Sequence, residues 1–270
     1  MATTKAGRRR AEGATSIQPD ALNPAALLRL WDKCAPAGLP QRARTILRAS
    51  YPGVRTEELD AMAIGAWNSA LLRFRAAQFG TQLQVFDRCP HCEGNVEFGI
   101  ETSEILAGSK PVLAEGSFST GDWSVRFRLL TGGDWVQSYK PEGTETIVAA
   151  KRLLGRAIVQ VRRGENDAVA EDMPDAAWEA LAEALLQADS ASEIVFHLRC
   201  PSCGAQWESP LEPAEFVWRE INAACRRLLR HIHVLASTYG WSESEILRLS
   251  QERRTSYLHL IEETGGPSGT

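Results

Sequence analysis

The 270-residue sequence contains no apolar run approaching the roughly 18 to 20 residues that a helix needs to cross a bilayer, so no membrane association is expected. It also lacks a surplus of positive charge. Thirty Lys and Arg stand against 34 Asp and Glu, for a formal net charge of −4. That balance excludes a chain that is basic throughout and coats nucleic acid by neutralising phosphates, although a local basic face is compatible with it. The first residues, Met1 to Asp20, hold Arg8-Arg9-Arg10 with no apolar segment behind them, so a secretion signal is not expected and a cytoplasmic protein is. Gly-x-Ser-x-Gly, Walker and dinucleotide-binding patterns are absent, and no pair of carboxylates stands out. Nothing therefore supports an enzyme or a small-molecule substrate.

What the sequence does have is 44% hydrophobic and 24% charged residues, ordinary for a soluble globular chain, at a length suited to one elaborated domain or two small ones. It also has six cysteines in a telling arrangement. Four form the pairs Cys89-Pro90-His91-Cys92 and Cys200-Pro201-Ser202-Cys203, each entered by an apolar segment and left by another. In a reducing compartment such pairs point to metal before disulfides. A two-residue spacer lets a tight turn aim both sulfurs at one point, and four soft thiolates satisfy a tetrahedral ion. The expectation is one structural Zn2+ bound by Cys89, Cys92, Cys200 and Cys203, its shell closed to water and substrate. The competing readings are two reduced, buried thiol pairs or a redox dithiol. The latter fits less well, because a thioredoxin-type pair opens a helix whereas each pair here sits between strand-like segments.

The pairs are separated by 107 residues, where compact zinc sites have roughly 15 to 20. Closing the longer loop costs only about 1.7 kcal/mol more. Structural zinc contributes on the order of 10 kcal/mol or more, so the insertion is tolerable.

The remaining pattern predicts an α+β fold, mostly helical in its N- and C-terminal parts around a split zinc ribbon with a large α/β insertion. A flexible tail at 1–22 precedes a helical region at 23–80, where Asn23 caps a helix with Pro24 at its first position. A second helix is expected at Gln41–Ala49, and a long one from Thr56 to Phe79. The split ribbon takes 81–210 with its insertion at 101–192, the latter carrying a strand at Trp123–Leu130 and helices at about Thr144–Val161 and Asp175–Gln187. C-terminal helices occupy 211–263. The first starts at Pro213 and places Val217, Ile221, Cys225, Leu228, Ile232 and Leu235 on one face, with Arg219, Asn222, Arg226, Arg230 and His233 opposite. Ser242 and Glu245 form a capping box for a short helix, and a last one begins at Gln251. A flexible tail is expected at 264–270.

The single residues have plainer readings. His91 reads as an exposed spacer within its turn, and His197 as a surface or supporting residue of a strand. His231 and His233 lack the four-residue spacing of a helical zinc site. Cys34 and Cys225 read as buried apolar fillers.

Several stretches together resemble the baseplate hub assembly proteins, or assembly chaperones, of T-even-type phage tails and extracellular contractile injection systems. The strongest is the C-terminal run Phe216-Val217-Trp218-Arg219-Glu220, Arg227-Leu228-Leu229, His233-Val234-Leu235-Ala236, Tyr239-Gly240-Trp241-Ser242-Glu243, Glu245-Ile246-Leu247 and Arg253-Arg254 to Tyr257-Leu258. The paired cysteine turns and Leu71-Leu72-Arg73 through Phe79-Gly80 add to it. Two departures stand out: Trp67-Asn68 where relatives often have Arg-Asp, and Glu93-Gly94 after the first turn instead of an immediate Gly.

The resemblance implies a noncatalytic protein of baseplate assembly or structure, cytoplasmic or incorporated into a phage-tail-like particle, with baseplate, hub or spike proteins as partners. Candidate partner-binding positions are Trp218, Arg226, Arg230, Tyr239, Trp241 and Tyr257, since aromatics and Arg are enriched in interface hot spots, although most such aromatics serve a core. The alternative is a zinc-ribbon regulator that binds nucleic acid through the arginine stripe, which the charge balance does not favour.

Overall fold

A computed structural model describes residues 18–107, 114–140 and 146–263. Four helices come first: α1 (Pro24–Cys34), α2 (Leu39–Ser50), α3 (Thr56–Ala61) and α4 (Ile64–Phe79). The hairpin β1 (Gln82–Arg88) and β2 (Asn95–Glu101) follows, then α5 (Thr102–Ala107). The insertion contributes β3 (Glu115–Thr120), β4 (Trp123–Arg128), α6 (Gly132–Ser138), α7 (Thr146–Gly155), β5 (Ile158–Arg163), β6 (Asn166–Asp167) and α8 (Asp175–Ala188). A second hairpin, β7 (Ile194–Arg199) and β8 (Gln206–Leu211), leads into α9 (Pro213–Tyr239), α10 (Glu243–Arg248) and α11 (Gln251–Glu263). The mixed helix and sheet content is that of an α+β chain.

The two helical segments, remote in sequence, share one core. Leu27, Leu30, Ile46, Leu47, Trp67, Leu71 and Phe74 from the front pack against Val217, Ile221, Cys225, Leu228, Ile232 and Leu235 of α9 and Ile246 of α10. That face of α9 is the one its periodicity predicts. Each Leu or Ile so buried contributes about 1.5 to 3 kcal/mol. Polar groups fix the register: Arg75, itself buried, donates from Nε and Nη2 to the Glu220 carboxylate, both at 2.8 Å, and Trp31 Nε1 donates to Asn222 Oδ1 at 2.8 Å.

The insertion has a second core. Its antiparallel sheet runs in the order β3-β4-β5-β6, and Trp123, Val125 and Phe127 alternate inward against Ala177, Trp178, Leu181 and Leu185 of α8. A smaller cluster, in which Leu72, Leu83 and Leu211 are buried, seats both hairpins on α4.

Several elements differ from expectation for identifiable reasons. The long helix expected from Thr56 to Phe79 is two helices, because Ala63 turns extended to bridge Thr131, and the Ile64 N–H donates to the Leu130 carbonyl at 3.0 Å. The helix expected to reach Val161 stops at Gly155, and β-branched Ile158, Val159 and Val161 join the sheet, with Val161 opposite Val125. Residues 18–22, expected in the tail, are tied down. Asp20 N–H donates to the Ser50 carbonyl at 2.8 Å, and Leu22 N–H to Gln78 Oε1 at 2.6 Å. The rest of that tail and the one expected at 264–270 lie outside the described residues.

Trp67 and Asn68 both have structural work. The Trp67 ring is buried and donates to the Leu59 carbonyl at 2.6 Å. Asn68 Nδ2 donates to the carbonyls of Ala191 and Ser192 at 3.0 and 3.1 Å, holding the segment that leads into β7. Asp189 accepts from the Gly65 N–H at 2.9 Å and so caps the start of α4.

Candidate metal centre

Each cysteine pair occupies the turn of one hairpin, and the two turns have matching backbone bonds. Cys89 N–H donates to the Gly94 carbonyl and Cys200 N–H to the Ala205 carbonyl, both at 2.9 Å. Glu93 N–H donates to the Cys89 carbonyl at 2.9 Å, and Gly204 N–H to the Cys200 carbonyl at 3.0 Å. Glu93 and Gly204 both take positive φ, 57° and 75°. The departure noted after the first turn is therefore a replacement and not an insertion, Glu93 standing in a left-handed position that the second turn gives to glycine. Register agrees as well, with Arg88 opposite Asn95 and Arg199 opposite Gln206.

The hairpins form separate two-stranded sheets that meet at their turns. Cys89 Sγ lies 3.7 Å from Cys203 Sγ, and Cys92 Sγ lies 3.6 Å from Cys200 Sγ. All four sulfurs fall within 4.8 Å of one another. A tetrahedral ion with metal–sulfur bonds of about 2.3 Å has sulfurs about 3.8 Å apart along each edge, so the observed distances fit an ion at the centre. They are far longer than a disulfide of about 2.0 Å. Cys89 and Cys200 are buried, whereas Cys92 and Cys203 face outward.

The turn amides also favour thiolate. Backbone N–H of Cys203, and secondarily of Ser202, holds the Cys200 thiol down to about 6 against the opposing effect of burial. Cys203 receives the Ala205 amide, yet burial and the adjoining sulfurs push it up, since crowded thiolates repel until a cation neutralises them.

Two contacts brace the hairpins beside the sulfurs. Trp207 Nε1 donates to Asp87 Oδ2 at 2.9 Å, and the Phe98 and Phe196 rings meet edge to face at 5.4 Å. This bond and the Ser209 side chain hold the Asp87 carboxyl below its usual range. Neither contact was foreseen, and position within two distant strands carries no signal for it.

The histidines take no part in the cluster. His91 is exposed, and His197 lies 80% exposed with Nδ1 3.5 Å from Glu208 Oε1. Cys34 and Cys225 are fully buried among apolar groups, and burial pushes both thiols up to about 11.

The remaining candidate positions fall into three places. Trp218 is buried, with the Arg42 guanidinium 4.7 Å above its ring. Arg226 and Arg230 are exposed on α9. Tyr239, Trp241 and Tyr257 form one aromatic cluster, Tyr239 stacked on Trp241 at 4.7 Å and Tyr257 edge-on to both.

No helix among the described residues is long and apolar enough to cross a membrane. Comparison with protein-family models, with curated proteins and with solved structures finds no match for this chain, so the chemistry of the cysteine cluster is argued from its own geometry.

Proposed function

We propose that this protein is a noncatalytic scaffold or assembly factor, stapled by one zinc ion, that acts in building the baseplate and hub of a phage-tail-like contractile injection system. The observation that carries the zinc reading is the sulfur quartet, whose 3.6 and 3.7 Å separations suit a tetrahedral thiolate site. Four thiolates complete the shell, and zinc is the ion that a site of soft sulfur ligands with a structural role selects. Such an ion joins two hairpins that, as isolated two-stranded units, have marginal stability in water. It ties residues 89–92 to 200–203 and so fixes the insertion between them.

The contractile-particle reading rests on the resemblance carried by the C-terminal run. Its support is the form of that run: the apolar face of α9 is consumed by the core, while Arg226, Arg230 and part of the Tyr239 ring stay outside, where a protein partner can meet them. Baseplate, hub or spike proteins are the partners this reading names.

Two measurements test the two readings separately. Elemental analysis of purified protein is expected to give one zinc per chain; iron in its place, or no metal in stably folded protein, refutes the zinc assignment. Deletion of the gene is expected to stop assembly of sheathed particles, and affinity capture to recover hub or spike proteins. Normal particles in the deletion strain would falsify the assembly role. The exposed Arg219, Arg226 and Arg230 also permit the nucleic-acid reading. Retention of duplex DNA that weakens steeply with salt would favour it over a protein partner.

A further inference from the structure

A cavity of about 550 Å³ lies between the end of α4, the middle of α9 and the start of α11. Its lining includes Arg227, His231 and Arg254, the polar Gln78 and Ser250, and apolar Leu228; among the described residues no Asp or Glu lines it. Arg254 is the unusual member. It is 5% exposed, and its Nε is buried with no hydrogen-bond partner. Nη1 donates to the Leu249 carbonyl, a neutral group, at 2.5 Å, and among the described residues no carboxylate forms an ion pair with Arg254. Burial alone governs its pKa, which is lowered.

An unpaired buried cation is destabilising by several kcal/mol in general, and proteins seldom keep one without a counter-charge. The buried Arg75 of the same core makes the contrast, because Glu220 meets it with two oxygens. Arg254 also sits in the first turn of the 13-residue α11, whose dipole favours negative charge where Ser250 and Gln251 line the cavity. The Arg253 and Arg254 amides there already donate to Ser250, and Glu252 shares the turn without lining the cavity, so the guanidinium groups are the anion donors. Burial, with the charges of Arg254, Arg227 and Arg230, holds His231 below its ordinary value, which reports a positive field in the same space.

We propose that this cavity binds an oxyanion group, phosphoryl or carboxyl, through the guanidinium groups of Arg254 and Arg227 at the N-terminus of α11. The site is independent of the cysteine cluster and of the contractile-particle reading. The bound group supplies the missing counter-charge, with charge-assisted hydrogen bonds from a planar guanidinium suited to either anion.

The test uses the metal-replete full chain titrated with inorganic phosphate and, separately, with glutarate, followed by calorimetry. One saturable site per chain is expected, and the anion that binds more tightly identifies the group. Arg254→Met is expected to weaken binding by about tenfold or more. It is also expected to raise the melting temperature of the unliganded protein, because an apolar side chain of similar length replaces an unpaired charge. Arg227→Gln, at an exposed position, is expected to weaken binding several-fold with the fold unchanged, and it decides the matter if Arg254→Met does not fold. Failure of both anions to saturate, or binding untouched by the arginine substitutions, overturns the proposal.

Discussion

Trp207 Nε1 donates to Asp87 Oδ2 at 2.9 Å, joining two hairpins that are 120 residues apart and hydrogen-bond into no common sheet. The bond lies two residues before Cys89 and four after Cys203, so it braces the sulfur cluster from the side. It needs no metal, and the two devices can be separated experimentally.

Removing metal with a chelator, or by Cys92→Ser, is expected to loosen both hairpins and lower the melting temperature, while the helical core keeps its far-UV circular dichroism. Trp207→Phe in metal-replete protein is expected to cost about 1.5 kcal/mol, the lower end of the range for a hydrogen bond to a charged group. Combining Trp207→Phe with Cys92→Ser leaves the hairpins without either clamp, and amide exchange in β1 and β7 is expected to approach that of unfolded chain. Slow exchange there in the double variant contradicts this account.

Asp134 provides a buried pH-sensitive contact of the insertion. It is 5% exposed and accepts from Arg128 at 2.7 and 3.0 Å, from Arg156 Nε at 3.0 Å and from the Thr131 N–H at 3.0 Å. Burial alone would raise its carboxyl, but the Arg128 bond, with Thr131 and Arg156, holds it far below the usual carboxylate range. The unfolded state therefore takes up its proton first. Its contribution is complete above the ordinary Asp value, about 4, and is lost as pH falls below that toward the depressed folded value. Asp134→Asn is expected to cost about 2 kcal/mol at neutral pH. It should also flatten the acid limb of the stability curve; a limb as steep as in the parent counts against Asp134 as its source.

Gly132 begins a helix that its own sequence disfavours. A Cβ there would stand 1.9 Å from the Trp67 ring, and one at Gly133 would stand 2.9 Å from the Asp60 carbonyl. Gly132→Ala is expected to destabilise by about 3 kcal/mol despite the better helix propensity of alanine. Gly155→Ala, whose Cβ would meet only Trp178 at 3.7 Å, provides the control and is expected to be nearly neutral or stabilising.

Glu93 adopts φ of 57° in the turn where its counterpart is Gly204. Glu93→Gly is expected to stabilise the metal-replete protein by up to about 1 kcal/mol, because glycine enters the left-handed region without the Cβ penalty. Gly204→Glu is expected to do the reverse. Denaturant midpoints of both variants measure the difference.

The sequence by itself determined whatever depends on neighbours within a turn or two. The face of α9 follows from spacing alone, as do the Asn23 and Ser242 caps and the capacity of each Cys-x-x-Cys turn to present a sulfur pair, because side-chain direction there is set by local backbone geometry. What required tertiary structure were contacts between segments of no sequence relation. The break between α3 and α4 comes from a bridge to Thr131, and α6 survives two glycines because Trp67 and Asp60 occupy the space where side chains would be. Arg254 became notable only once burial removed it from water and no carboxylate arrived beside it. Convergence of the sulfurs belongs to both levels: the turns are encoded locally, while the 3.6 and 3.7 Å separations depend on packing of both hairpins against α4. A pattern of residue types specifies direction over a few ångströms of chain, and only the closed core specifies distance across a hundred residues.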